Sequence, residues 1–300
     1  MDRLHTMSVF VAVAEEMGFA PAARRLNMSP PAVTRAVSAL EQRLGAKLLH
    51  RTTRAVQLTE AGQRYLVDCK RVLAEVDEID QSAAGIHASP RGKVTVTASV
   101  LFGRMVVVPI LLDLLEQYPD IEIDAFYVDR VTNLMDEGLD VAVRIADLPD
   151  SGLSAVRVGS VRRVLCAAPQ YLAERGSPDT PSGLATHDLI DFVNLTRTSD
   201  WNFVEDGKVT SMRPGARFRV NNGDAAIAAA VSGRGITRVL SYMIAPQLAD
   251  GSLELVLDAF ALPPVPVHVV HKETGQPSAR VRAVFDFLAE RLRADEGLDH

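Results

Sequence analysis

Apolar residues recur at helical spacing from the first turn of the chain. Leu4, Met7, Phe10, Val11 and Ala14 predict a helix that Gly18 stops. A second short helix is expected over 20–26, breaking at Asn27 and Met28. A third begins after Ser29, a residue type that caps helix starts. Pro30 and Pro31 suit its first turn, where their missing N–H groups would have no partner. Val33, Val37, Leu40 and Leu44 form its buried stripe, and the opposite face presents Pro31, Thr34, Arg35 and Ser38. Two helices joined by a short turn, the second exposing small polar groups and a guanidinium suited to base edges and phosphates, read as a helix-turn-helix.

The next pattern is longer. Tyr65, Cys69, Val72, Val76, Ile79, Ala83 and Ile86 alternate spacings of four and three along a helix expected from 59 to 87. That heptad-like seam fits a two-stranded dimer helix, and Cys69 on it reads as a small core residue. Beyond Lys93 the period changes. Strands are expected over 94–97, 121–128, 140–145, 162–167 and 267–270. Helices are expected over 103–117, over 225–232 with Asn222 or Asp224 as cap, and over 279–292. Alternating strands and helices indicate an α/β domain.

Composition and charge sharpen this. A chain of 300 residues with 47% apolar content exceeds one ordinary domain. The longest nearly apolar run, 105–115, is too short for a membrane span and contains Pro109 and Asp113. The first residues lack the pattern of a secretory signal, so a cytoplasmic location is expected. Two cysteines suggest neither a disulfide framework nor a zinc site. The net charge is −6, but residues 1–65 hold nine Lys/Arg against five Asp/Glu. Between Phe19 and Arg54 the bases Arg24, Arg25, Arg35, Arg43, Lys47, Arg51 and Arg54 face one acid, Glu41. That balance fits either a phosphate footprint or a solvated basic face.

The run FAPAARRLNMSPPAVTRAVSALEQRLGAKLLHRTTRAVQLTEAG resembles the N-terminal signature of LysR-type transcriptional regulators over nearly its whole length. The phrases EGLDVAVRIADLPDSGL, CAAPQYLAERG and VNNGDAAIAAAVSGRGI resemble the C-terminal half of one subgroup. The resemblance implies an N-terminal all-α winged helix-turn-helix (1–58) and a long linker and dimerisation helix (59–89). The rest would be a two-lobed α/β effector-binding domain like a periplasmic binding protein, lobe one 90–162 and 267–300, lobe two 163–266. By resemblance Ser29, Pro30, Pro31, Thr34, Arg35 and Ser38 meet the major groove, and Arg51, Thr52, Thr53 and Arg54 lie on the wing. Pro30 stands where many members carry Gln and Leu49 where Phe is common, so base preferences do not transfer. The implied partners are a second copy of the chain (homodimer or homotetramer), double-stranded DNA with an approximately two-fold symmetric site, a small organic effector, and RNA polymerase if the protein activates.

In open α/β folds small molecules bind beyond the carboxyl ends of strands, where helix N-termini offer N–H groups that suit a carboxylate. This points to Ser99, Val100 and Phe102 after the first strand, and to Asn222, Gly223 and Thr237 in the second lobe. Arg144 either pairs with an effector carboxylate or closes a salt bridge to Asp129 or Asp147. Trp201 is a candidate for stacking on an aromatic effector. No cofactor, metal or catalytic set is expected. The phosphate-loop, dinucleotide, nucleophile-elbow and zincin motifs are missing from the sequence. His268 and His271 sit three apart on a strand, which turns them to opposite faces. A solute-binding protein would need neither the basic head nor the paired helix.

Overall fold

The computed structural model describes residues 2–51, 56–83, 90–130, 132, 134, 137–148, 154–193, 200–272 and 277–298. Contacts divide the chain into two compact units, Met1–Ala88 and Ser89–His300.

The first unit holds α1 (Arg3–Glu15), α2 (Phe19–Arg25), α3 (Pro30–Leu44), a hairpin of β1 (Leu49–Arg51) and β2 (Val56–Leu58), and α4 (Glu60–Ala83). Asp2 starts α1 by accepting from the Leu4 amide. The expected single stripe on α1 is corrected. Met7 and Phe10 are buried, but so are Thr6, Val9, Ala12 and Val13, while Leu4, Val11 and Ala14 are half-buried. The helix packs against α2, α3 and α4, and therefore buries more than one face. Its left-handed stop is Met17 (φ 49°), ahead of Gly18.

On α3, Val33, Ala36, Val37 and Leu40 are fully buried. Leu44 is 36% exposed, against expectation, because Gly45 turns left-handed (φ 65°) and takes the chain away. Ser29 stands at the N-cap, yet its side chain makes no capping bond. Pro31 has no N–H to offer it, and the Ala32 amide donates to the Ser29 carbonyl instead.

The first part of the α4 seam is also corrected. Cys69 is fully buried, and Tyr65 and Val72 pack beside it in the core of this same unit. The Phe10 and Tyr65 rings lie 5.8 Å apart, and Lys70 bonds Glu15 at 2.6 Å. That stretch satisfies itself on α1 before any partner is needed. The side chains of Ile79 and Ala83, and all of Ile86, lie outside the described residues.

The second unit contains two five-stranded sheets. One has the order β4-β3-β5-β14-β6. Its strands are β3 (Gly92–Ala98), β4 (Ile121–Tyr127), β5 (Val141–Ile145), β6 (Ser154–Val161) and β14 (Val265–His271). The other, β11-β8-β12-β7-β13, uses β7 (Arg163–Ala167), β8 (Leu189–Phe192), β11 (Phe218–Val220), β12 (Ile236–Leu240) and β13 (Glu254–Val256). A separate hairpin joins β9 (Trp201–Glu205) to β10 (Lys208–Met212). Asp206 and Gly207 are both at positive φ in its turn, as a two-residue hairpin loop requires.

The helices are α5 (Val100–Phe102), running through a π turn (Gly103–Val107) into α6 (Val108–Gln117), then α7 (Pro169–Arg175), α8 (Gly223–Val231), α9 (Ala245–Ala249) and α10 (Ala279–Arg293). The helix expected from 103 therefore begins at Val100. Between Val161 and Arg163 the chain leaves the first sheet, and by Val265 it has returned. One core spans both sheets, with Val96, Val143 and Val267 from the first and Cys166, Ile190 and Val239 from the second. Burial pushes the Cys166 thiol up to about 12.

Candidate nucleic-acid interface and ligand cleft

The outer face of α3 carries the features expected of a reading surface. Ser29, Pro30, Pro31 and Arg35 are exposed, and Thr34 and Ser38 are half-buried. The Thr34 hydroxyl donates to the Pro30 carbonyl at 3.0 Å, which leaves its oxygen as an acceptor and its methyl outward of the bond. Among the described residues no acid pairs with Arg35 or Arg24. Arg25 is different, bonding Glu15 at 2.7 Å and Glu16 at 3.4 Å, so the basic run contributes less open charge than its composition suggests.

The wing hairpin pairs Leu49 with Leu58, His50 with Gln57 and Arg51 with Val56. The Arg51 backbone belongs to β1, whereas its side chain and Thr52, Thr53 and Arg54 lie outside the described residues. The root of the wing is held by Glu41, the lone acid of the basic run, which is only 3% exposed. Its Oε1 accepts from the Leu48 amide at 2.9 Å and the Leu49 amide at 3.2 Å, and its Oε2 from Lys47 Nζ at 3.1 Å. Burial pushes this carboxyl up, but those three donors together hold it below the usual carboxylate range. The sequence carried one signal of this role, an acid placed directly after a buried leucine in an otherwise basic segment.

In the second unit the carboxyl end of β3 runs through Ser99 into α5, and β11 runs through Asn222 into α8. The two helix starts meet. A Cβ on Gly223 would stand 2.5 Å from Leu101 Cδ1, so any larger residue there would require the Leu101 side chain to shift. Asn222 caps α8 by accepting from the Ala225 amide at 2.9 Å, and Asp224 pairs with Arg104 at 2.8 Å. The Phe102 ring stands edge-on to Tyr242 with centroids 5.0 Å apart. Ser99 Oγ and Tyr242 Oη are buried neighbours, and among the described residues neither makes a hydrogen bond of good geometry. Burial pushes the Tyr242 phenol well above its ordinary range. The Val100 amide, expected to face a ligand anion, donates to Asp129 Oδ1 at 2.9 Å.

The structure therefore gathers Ser99, Val100, Phe102, Asn222 and Gly223, and adds Leu101, Asp129, Arg104 and Tyr242, which the sequence did not indicate. Arg144 lies level with Ser99 on the neighbouring strand, two residues past the last β3–β5 pair. Its guanidinium donates to the Thr132 carbonyl at 2.5 Å, and among the described residues neither Asp129 nor Asp147 pairs with it. Two expectations are corrected. Trp201 is 1% exposed, buried with Tyr171 and Phe203 under the β9–β10 hairpin, with the Arg238 guanidinium 5.5 Å from its ring centre. It offers no open face to an effector. Thr237 is fully buried in β12, where its hydroxyl donates to the Ile190 carbonyl at 3.1 Å.

Among the described residues no helix is long and apolar enough to cross a membrane. Residues 4–63 match the bacterial regulatory helix-turn-helix protein, lysR family, and residues 87–293 match the LysR substrate binding domain. The chain is 31% identical to the transcriptional activator AaeR of Escherichia coli over 97% of its length and 94% of that protein's. It is equally 31% identical to a transcriptional repressor of Pseudomonas aeruginosa, covering 97% and 92%. The solved structure of CrgA, a LysR-type regulator from Neisseria meningitidis, superposes with a TM-score of 0.62 at 29% identity, over 96% of this chain and 98% of that one. With both halves matched and the fold shared, the chain belongs to the LysR family of transcriptional regulators, with a DNA-binding helix-turn-helix and an effector-binding substrate domain.

Proposed function

We propose that this protein is a sequence-specific DNA-binding regulator whose activity is modulated by a small organic effector bound between the two lobes of its C-terminal domain. The observation that carries the DNA-reading half is the outer face of α3, where Arg35 stands exposed and no acid among the described residues pairs with it. Ser29, Pro30, Pro31, Thr34, Arg35 and Ser38 read the major groove, and Arg51, Thr52, Thr53 and Arg54 grip the backbone beside it. Residues 1–58 form the DNA-binding head, 59–89 the linker and dimerisation helix, and 90–300 the effector domain. The protein acts in the cytoplasm as a homodimer or homotetramer on an approximately two-fold symmetric site, without enzymatic activity. RNA polymerase is its further partner where it activates. Relatives of equal identity include one named activator and one named repressor, so similarity alone assigns neither sign.

On the effector side, Ser99, Val100, Phe102, Asn222, Gly223 and Tyr242 form the contact set, with Arg144 at its edge as partner for a carboxylate. The buried hydroxyls of Ser99 and Tyr242 support this reading, since polar groups without a well-formed hydrogen bond in a protein interior call for a partner. Effector binding shifts the population between arrangements, with a coupling of about 1 to 3 kcal/mol. The test is binding of the purified protein to a duplex from the DNA upstream of its own gene and to a scrambled duplex at matched salt. Strong preference for the first is expected, and equal weak binding across genomic duplexes would leave a solute-binding role as the better reading.

A further inference from the structure

We propose that Glu41 is a positioning residue for DNA recognition, its buried carboxylate clamping the first strand of the wing to the reading helix so that both meet the duplex as one rigid surface. Glu41 lies on the last turn of α3, six residues beyond Arg35. Its oxygens reach across to 47–49, where the chain leaves the helix and enters β1. Leu48 and Leu49 are buried where the chain enters β1, and one Glu41 oxygen, Oε1, accepts from both of their amides. Without it, two buried N–H groups would stand unpaired.

The carbonyl side of the same stretch is held from α4. Thr59 Oγ1 donates to the Lys47 carbonyl at 2.7 Å, and the Thr59 amide donates to the Leu48 carbonyl at 2.9 Å. Gly62 lets α4 start close enough for this, since a Cβ there would stand 2.0 Å from the Leu48 oxygen. The wing root is thus bonded on its amide side to Glu41 of α3 and on its carbonyl side to Thr59, directly ahead of α4. Lys47, one of the cations of the basic run, is turned to Glu41 and not held for phosphate. A carboxylate in a DNA-facing segment repels the ligand's backbone unless it is buried and paired, and here it is both.

The experiment compares Glu41→Gln, Glu41→Asp and Glu41→Ala in the full chain. Gln keeps an oxygen at the same reach, so it retains both amide bonds, whereas Asp is one methylene short and Ala has no acceptor. Specific DNA affinity at matched salt is expected to stay within about twofold for Gln and to fall roughly tenfold or more for Asp and Ala. Hydrogen exchange of the Leu48 and Leu49 amides is read in the same samples without DNA. Protection is expected to survive in Gln and to be lost in Asp, ahead of any change in the exchange of α1. If Ala does not fold, the Gln and Asp pair decides. Equal losses for Gln and Asp, or undiminished amide protection in Asp, would overturn the clamp.

Discussion

The reading head and the ligand cleft treat buried polar groups in opposite ways. In the head, Glu41 enters the core and finds three donors; in the cleft, the Ser99 and Tyr242 hydroxyls are buried side by side and, among the described residues, make no well-formed hydrogen bond. A satisfied buried network holds one geometry, and an unsatisfied one gains free energy when a partner arrives. The first suits a surface that must match a duplex of fixed shape. The second suits a site whose state is meant to change on occupancy.

Mutations separate the two. Arg35→Ala should have the largest effect, weakening specific DNA binding by about 1 to 3 kcal/mol at matched salt while leaving the melting temperature in place; unchanged affinity in a gel-shift titration would remove Arg35 from the interface. Gly223→Ala forces a methyl group against Leu101, and overpacking of this kind costs about 1 to 3 kcal/mol. Thermal denaturation should register that loss, with the head's DNA affinity for a single half-site retained. An unaltered melting curve would mean that the two helix starts part freely.

Acid should act on the head. The Glu41 carboxyl is held low in the folded protein, so its contribution is complete above the ordinary glutamate value of about 4.3 and is lost as pH falls through the lowered one. Glu41→Gln should therefore flatten the acid side of the stability profile, and parallel curves for the two proteins would contradict that assignment. Tyr242→Phe should be neutral or stabilise the free protein by about 1 kcal/mol, because it deletes a buried hydroxyl that makes no well-formed hydrogen bond among the described residues. A clear drop in melting temperature would show that the hydroxyl has a partner after all. Arg104→Ala ranks last, at about 0 to 1 kcal/mol, since both members of that ion pair are largely exposed.

Much of this organisation was legible before the coordinates. Val33, Val37 and Leu40 announced α3 because buried apolar residues recur along that helix at helical spacing. The strand at 94–97 and the helices around 108, 225 and 280 were visible for the same reason. By contrast β6, β8, β9, β10, β11, β12 and β13 left little trace. Several are short, and strands such as Ile236–Leu240 interleave buried apolar residues with Thr237, whose hydroxyl is satisfied by the Ile190 carbonyl of a neighbouring strand, and with Arg238. Missing β12 also hid Tyr242, which follows it directly. Trp201 looked available because nothing in its local sequence shows that a hairpin folds it inward. The role of Glu41 was hidden for the corresponding reason, since two of its donors are amides seven and eight positions downstream and backbone groups have no signature in a residue pattern.

The carboxylate of Asp129 on the Val100 amide has a consequence for dose. A tethered group competes at an effective concentration in the millimolar range or above, whatever the cell contains. Any free anion seeking that amide meets a rival that never diffuses away, so occupancy there begins only once the incoming molecule gains enough elsewhere in the cleft to displace it. A simple anion with no other contact to gain would leave the bond between Asp129 and that amide in place.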